Sequence, residues 1–449
     1  MATEGGTMTS PQPHGTSLSG TSQSGTSQPG NPQQTPHQEK HHRHQARSVA
    51  EHAAAVAELL QPLRSPHRTE VLPLREALGR GLVGDVTAPI SLPPFPNSQM
   101  DGYAIRSADL PDGGGELRVM PPVPAGASPD ALQPGTAAPI MTGAMLPEGA
   151  DAVVPIERAV PDRFLPHTEE ATEQATVRLP EAAPGTYVRE TGSDVRAGET
   201  ALAAGTFLGP AQLGLLAALG IPEVTVYRAV TVLLVTTGDE VVEPGQDLPA
   251  GKIYDSNGTL LEAAMRQAGL EVRRAGIVTD NPEKLRGLLR AEGAAVDLIV
   301  TTGGVSKGAY EVVRQAMEDQ PVEFLHVAMQ PGGPQGIGTF EGRPFLGFPG
   351  NPVSCLVSFE MFLRPVLGRL LGTPAPRFPL RARLGQPLTS PEQKHQVRRG
   401  TLTPDGTVEL LGGESSHLMH ALAGSNVLVH VPQGVAALEA GAEVEVWML

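Results

Sequence analysis

Two stretches decide the fold, TVLLVTTGDE at residues 231–240 and DLIVTTGGVS at residues 297–306. Each joins a short apolar run to the same polar ending, Thr-Thr-Gly. Between them lie a segment with helically spaced apolar residues, at 260–268, and a further apolar run at 272–278. Strands that alternate with helices predict parallel βαβ units, so we expect residues 227–373 to form a parallel α/β domain. We expect a long helix from about 352 to 371, bent at Pro365, to close this domain.

The sequence on either side of this domain predicts β modules. Residues 96–188 consist of short apolar runs separated by Pro and Gly, and we expect a small β domain inserted into a discontinuous first domain of residues 46–95 and 189–226. Residues 374–449 predict a C-terminal β domain. Residues 1–45 are polar, repeat Gly-Thr-Ser and end in a His-rich tract. We expect them to form a disordered, solvated tail rather than a metal site.

Composition excludes several classes of protein. The 449 residues carry 33 basic and 48 acidic side chains, a net charge of −15, which argues against binding to nucleic acid. Apolar runs are too short to span a membrane, and the N-terminus lacks the apolar core of an export signal, so we expect a cytoplasmic protein. A single cysteine, Cys355, excludes internal disulfides and Cys-rich metal clusters.

The polar strand endings predict a ligand site, because ligands of open α/β sheets bind beyond the carboxyl ends of the strands. Glycine permits close approach of the backbone, and hydroxyl and N–H groups can hold anionic oxygen. The acids near this edge are Asp239, Glu240, Asp280 and Glu311. They would repel phosphate unless a divalent cation lay between, which predicts a Mg²⁺-bridged phosphorylated ligand. Alternatively, Asp280 only caps a helix and the acids at 239 and 240 are solvated turn residues.

Six motifs then resemble one known family. They are NSQMDGYA at 97–104, MTGA at 141–144, TGDE at 237–240, IYDSN at 253–257, GGVSKG at 303–308 and PGNPVS at 349–354. From about residue 48 onwards the chain resembles the MoeA-type molybdopterin molybdenumtransferases, which are related to the E domain of gephyrin. The resemblance implies a homodimer with four domains per chain and a site shared between subunits. It also implies Mg²⁺-dependent insertion of molybdate into adenylylated molybdopterin, with release of AMP and molybdenum cofactor.

The resemblance and the strand endings together give the expected site residues. Catalytic roles are expected for Asp101, Thr142, Asp194, Glu240 and Asp280. Substrate binding is expected for Thr237, Gly238, Asp239, Asn257, Gly303, Gly304, Ser306, Pro349, Pro352, Arg399 and Ser416. Mg²⁺ binding is expected for Glu240, Asp280 and Glu311.

Five positions depart from the family pattern, and two of them are Gln99, where the family often has alanine, and Glu311, where it usually has aspartate. Lysine is frequent in the family where this chain has His326, Gln330 and Gly333, so the group that holds the oxyanion is left open. Lys307, a nearby arginine or His326 are the candidates.

Two other functions remain open at this point. One is adenylyl transfer to molybdopterin, although that reaction needs only the α/β domain; such an adenylyltransferase is also a possible partner. The other is a non-catalytic dimeric carrier or scaffold for the cofactor. The sequence does not separate molybdate from tungstate.

Overall fold

A six-stranded sheet forms the α/β domain of this computed structural model, which describes residues 46–165, 175–305, 311–373 and 377–449. The first four strands in spatial order are parallel, the fifth pairs antiparallel with the fourth, and the sixth pairs antiparallel with the fifth. In that order they are Glu271–Arg274, Thr231–Thr236, Leu298–Thr302, Arg343–Phe348, Pro334–Phe340 and Val322–His326. The predicted parallel sheet is therefore present, and two antiparallel strands extend it. The tail at 1–45 and the expected site residue Ser306 lie outside the described residues.

Both faces of the sheet are covered by helices. On one face Leu234 and Val300 pack in a core with Leu261 and Met265 of the helix Ser256–Gln267. On the other face, Leu233 and Ile299 pack against the helices Pro282–Gly293 and Val312–Ala316. Because neighbouring residues of each strand enter different cores, the central strands are apolar throughout rather than alternating.

The closing helical segment has three parts. The helix Pro352–Ser358 continues into a π-helical turn, Phe359–Leu363, and then into the helix Arg364–Leu371. The irregularity expected at Pro365 takes the form of a π-helical turn that ends at Leu363, two residues before that proline.

The first domain packs partly against this segment. Its helix Val49–Leu60 begins with a capping box formed by Ser48 and Glu51, and it enters the core that also contains Leu363 and Leu367. The remaining elements of the first domain are Thr69–Pro73 paired with Glu223–Tyr227, Val86–Thr87 paired with Thr200–Leu202, and the helix Pro210–Ala218.

The two β modules each form a sheet of their own. In the inserted module the order is Ala152–Pro155, Gly102–Ile105, Thr136–Ile140, Gly115–Val119 and Thr176–Leu179. In the C-terminal module it is Met329–Gln330, His395–Leu402, Thr407–Leu410, Pro379–Leu384, Glu443–Met448 and Val427–Val431. The first of these strands comes from the α/β region, so the two domains share a sheet edge. The exact domain boundaries stay predictions. Among the described residues, no helix is both long and apolar enough to cross a bilayer.

One ion pair joins the first domain to the base of the α/β sheet. The Arg68 guanidinium bonds to both carboxylate oxygens of Asp297, with Nη2 2.6 Å from Oδ2. The same Oδ2 accepts the N–H of Thr231 at 2.9 Å, at the start of a central strand. The two side chains are only 15% and 10% exposed, so removal of the arginine would leave a nearly buried carboxylate whose remaining cationic neighbour is the exposed Arg228, with Nη2 4.0 Å from Oδ1.

We therefore expect Arg68→Met to lower the free energy of unfolding of the α/β domain by about 3 kcal/mol. Urea titration followed by circular dichroism measures the change. Arg75→Met is the matched control, because Arg75 and its partner Glu76 are 81% and 54% exposed and their pair should contribute less than about 1 kcal/mol. Equal losses in the two variants would contradict a structural role for the Arg68 pair.

Candidate active site

A cleft of about 1000 Å³ opens at the carboxyl ends of the parallel strands. The α/β domain contributes the two Thr-Thr-Gly turns and the loops at 326–334 and 349–352, and the C-terminal domain contributes residues 414–417. Eleven of the expected site residues line it, namely Thr237, Gly238, Glu240, Asn257, Asp280, Gly303, Gly304, Glu311, Pro349, Pro352 and Ser416.

The two Thr-Thr-Gly turns are in direct contact. The Thr237 N–H and hydroxyl both donate to the Thr302 carbonyl, at 3.1 and 3.3 Å. Gly303 has a φ of +93°, and a Cβ there would lie 2.9 Å from the Thr237 carbonyl oxygen. Any larger residue at 303 would therefore be strained and would also push the turns apart.

Asn257 fixes the neighbouring loop. Its Nδ2 donates to the Thr302 hydroxyl at 3.1 Å and to the Gly350 carbonyl at 2.6 Å. Its Oδ1 is buried and accepts no hydrogen bond within the described residues, so it is available to a ligand donor. The carboxylate of Asp255 caps the same helix by accepting the Gly258 N–H at 2.8 Å.

The cysteine beneath this loop is inert. The Cys355 thiol is fully buried and donates to the Pro349 carbonyl at 2.7 Å. Burial raises its pKa to about 12, so it is not a nucleophile at neutral pH.

The structure shows that Asp280 is not the N-cap of the helix Pro282–Gly293. Asn281 is the cap, because its Oδ1 accepts the Lys284 N–H at 2.9 Å. Asp280 instead exchanges backbone-to-carboxylate hydrogen bonds with Asp239: the Asp280 N–H donates at 3.0 Å, and its own Oδ2 accepts at 3.4 Å. The alternative that Asp280 serves only as a cap is thus wrong, and Asp239 supports Asp280 without itself lining the cleft.

Like charges surround Asp280. Partial desolvation against the cleft wall raises the pKa of its carboxyl group, and the nearby carboxylates of Asp239, Glu240 and Glu311 raise it further. Such crowding is the environment that a divalent cation relieves. Within the described ranges, no three His, Cys, Asp or Glu side chains are close enough to bind a metal alone, so a Mg²⁺ here would also need ligand oxygens.

Three expected catalytic residues lie outside the cleft of a single chain. Asp101 and Thr142 are exposed on the inserted β domain, where the Thr142 N–H and hydroxyl donate to one Asp101 oxygen at 2.6 and 2.8 Å. These hydrogen bonds hold the pKa of Asp101 below its ordinary value. Asp194 is also exposed, and its N–H donates to the Leu92 carbonyl at 3.0 Å.

Arg399 does not line the cleft but contacts the loop that leads to its wall. It is buried, and its guanidinium donates to the Gly413 carbonyl, which lies in the loop that leads to the cleft residues 414–417. Burial lowers its pKa, and Nε and Nη1 have no partner in the part of the chain that the structure describes. The Ser416 carbonyl accepts the Val353 N–H at 3.1 Å, which fixes this loop against the first turn of a helix in the α/β domain.

Sequence reasoning missed several lining residues. Lys394, Glu414 and His417 enter from the C-terminal domain. Only their closeness in sequence to Arg399 and Ser416 could have indicated them. His326, Gln330 and Gly333, the positions that depart from lysine, do line the cleft.

Three family models match the chain. Residues 47–220 match the MoeA N-terminal region (domain I and II), residues 233–369 a probable molybdopterin binding domain, and residues 381–449 the MoeA C-terminal region (domain IV). The chain belongs to the MoeA family. The family and fold class expected from the sequence are thereby confirmed.

Relatives of the MoeA family align along most of the chain. Molybdopterin molybdenumtransferase 2 of Mycobacterium tuberculosis is 44% identical over 417 residues, which are 90% of this chain and all of that protein. Molybdopterin molybdenumtransferase of Haemophilus influenzae is 34% identical over 403 residues, covering 87% of this chain and 96% of that protein. A crystal structure of a Pyrococcus horikoshii MoeA protein superposes with a TM-score of 0.77 at 26% identity, covering 90% of this chain and all of that one.

The contact between the turns gives a prediction. Gly303→Ala should lower the free energy of unfolding by about 2 kcal/mol, because it combines a left-handed alanine with a clash against backbone. Calorimetry would record this as a lower Tm. Gly287→Ala is the control: it lies on the helix Pro282–Gly293 with nothing within 4 Å of its Cβ, and it should raise stability by about 0.5–1 kcal/mol. A Gly303 variant as stable as the parent would show that the turns can separate freely.

Proposed function

We propose that this cleft inserts molybdate into adenylylated molybdopterin in a Mg²⁺-dependent step that releases AMP. Curated members of the family are named molybdopterin molybdenumtransferases, and this chain is likewise a transferase of molybdenum cofactor biosynthesis. The observation that carries the mechanistic proposal is the juxtaposition of glycine turns with crowded acids at one sheet edge. Glycine turns admit a phosphorylated ligand closely, and the acids require a cation between themselves and its phosphates.

In the proposed reaction, residues of the cleft bind the nucleotide-linked pterin and orient it. The backbone around Gly238, Gly303 and Gly304 lies close against the diphosphate, and the free Oδ1 of Asn257 accepts a ligand N–H. Acids from the group Glu240, Asp280 and Glu311, together with oxygens of the diphosphate, would hold Mg²⁺, which when bound would neutralise the diphosphate and polarise the bond that breaks. Positioning and charge stabilisation then carry most of the rate enhancement.

The proposed enzyme is a homodimer with a shared site. Asp101, Thr142 and Asp194 are exposed and lie outside the cleft of their own chain, which is the arrangement expected if they complete the cleft of a partner subunit. The Asp101–Thr142 hydrogen bonds keep the carboxylate ionised and in one orientation before any partner arrives. An adenylyltransferase that delivers the nucleotide-linked pterin is the expected supplier of the substrate.

Adenylyl transfer is a poorer fit to this cleft, because residues 414–417 of the C-terminal domain form part of its wall. A cofactor carrier would bind the pterin tightly without turnover, and the assay described next separates it from an enzyme.

Glu240→Ala should reduce AMP release from adenylylated molybdopterin, in the presence of molybdate and Mg²⁺, by at least about 100-fold, since it removes one proposed metal ligand. AMP is quantified by chromatography, and the cofactor formed is assayed by reconstitution of an apo-molybdoenzyme. Glu292→Ala, which removes an exposed acid on the helix Pro282–Gly293, is the control and should keep parental activity. Failure of the parent protein to release AMP would reject the proposed reaction.

Asp280→Asn should raise the Tm of the ligand-free protein at neutral pH. The pKa of Asp280 is raised in the folded state, so its ionisation opposes folding above that value. The gain should fade as the pH falls towards 3.8, the ordinary value for this carboxyl.

Asp101→Asn is the paired control, because its expected change in Tm has the opposite sign. The pKa of Asp101 is lowered on folding, so its ionised form stabilises the protein above pH 3.8, and the variant should lose Tm at neutral pH. Calorimetry across this pH range measures both variants. A loss of Tm in Asp280→Asn at neutral pH would contradict the like-charge crowding.

A further inference from the structure

Lys394 occupies a fixed place at the wall of the cleft. It lies in a turn in which its N–H donates to the Pro391 carbonyl at 2.9 Å, directly before the strand His395–Leu402. The next residue, His395, donates its N–H to Ala328 at 2.9 Å, and the strand then pairs with Met329–Gln330. Backbone hydrogen bonds therefore hold Lys394 beside the loop at 326–334.

No side chain in the described ranges neutralises the Lys394 ammonium. It is the sole Lys or Arg side chain among the described residues that line the cleft. Its Nζ makes no hydrogen bond or ion pair with any residue in the described ranges. Several carboxylates line the same cleft, and the local geometry explains why none of the described ones pairs with Lys394.

The acid from the same domain, Glu414, interacts with groups other than Lys394, namely Gln396 and the charge of Arg398. The Nε2 of Gln396, which is fully buried, donates to Glu414 Oε2 at 3.3 Å and to Gln330 Oε1 at 2.9 Å. The Glu414 carboxylate is thereby engaged by an amide and lies more than 4.0 Å from the ammonium nitrogen. The lysine charge is left for a ligand.

The loop at 326–334 has no space for a lysine side chain at Gly333. A Cβ at Gly333 would lie 2.5 Å from Cε1 and Nε2 of the His326 ring, so the imidazole already fills the space in which a side chain at 333 would begin. Gln330 is neutral and bound to Gln396. Among the described lining residues, the one Lys or Arg side chain therefore comes from the C-terminal domain.

We propose that Lys394 binds a tetrahedral oxyanion group in the cleft, either free molybdate or a phosphate of the nucleotide-linked pterin. This inference rests on the proposed function, and it assigns a residue outside the motifs that carried the resemblance. An ammonium acts as a point charge without the planar fork of arginine, so it favours a dianion without reading its shape. Sulfate and tungstate should therefore compete at the same position.

The test compares Lys394→Ala and Lys394→Arg with Lys284→Ala, which removes an exposed lysine outside the cleft. Steady-state AMP release is measured while molybdate and adenylylated molybdopterin are varied separately. Equilibrium dialysis of inorganic molybdate against the full chain provides a readout that needs no turnover. Circular dichroism confirms that each variant is folded.

Loss of this charge-assisted contact should raise a KM by about tenfold or more in Lys394→Ala, with partial recovery in Lys394→Arg and no change in Lys284→Ala. A rise confined to molybdate, with weaker dialysis binding, identifies the free oxyanion as the ligand; a rise confined to the pterin identifies its phosphate. KM values and molybdate binding within twofold of the parent overturn the inference even if the parent releases AMP. If the parent does not turn over, the proposed function fails by itself, and dialysis alone decides whether Lys394 binds the oxyanion.

Discussion

The hydrogen bonds from Thr237 to the Thr302 carbonyl bring the ends of two parallel strands into contact, and the rest of the site depends on this contact. Because Gly303 adds no side chain between the turns, both can present backbone to the same ligand. Asn257 then joins a third element by bonding to the Thr302 hydroxyl and the Gly350 carbonyl. Rigid placement of backbone and amide groups in this way is what catalysis by positioning requires.

The parallel strands and their helices were predictable because they are local signals. Short apolar runs such as 231–235 end in glycine turns, and helices between them have a clear apolar face. The antiparallel strand Val322–His326 was not predicted, since its half-buried residues carry no strong alternation and its partner lies along the sheet edge. The π-helical turn at Phe359–Leu363 was likewise not predicted, because the sequence indicates an irregularity only at Pro365.

The site was predictable in part for a related reason. Acids that follow strand ends meet at one edge of a sheet, so the proximity of Glu240, Asp280 and Glu311 follows from topology. The sequence left open whether Asp280 only caps a helix, and the geometry assigns the cap to Asn281 instead. Lys394 could not be placed from local pattern, because a different domain carries it to the cleft.

The distribution of charge in the cleft has a consequence for domain motion. The α/β domain supplies the acids at the strand ends, whereas the C-terminal domain supplies the lysine. A ligand that needs a metal at one end and a direct cation at the other is held correctly only if the two domains keep their relative position. Backbone links between the domains contribute to this, among them the Val353 N–H to the Ser416 carbonyl, the His395 N–H to the Ala328 carbonyl and the pairing of Met329–Gln330 with the strand His395–Leu402. Since Lys394 and the loop at 414–417 both belong to the C-terminal domain, a shift of that domain would move them together relative to the acids of the α/β domain, and the links beside the cleft oppose such a shift.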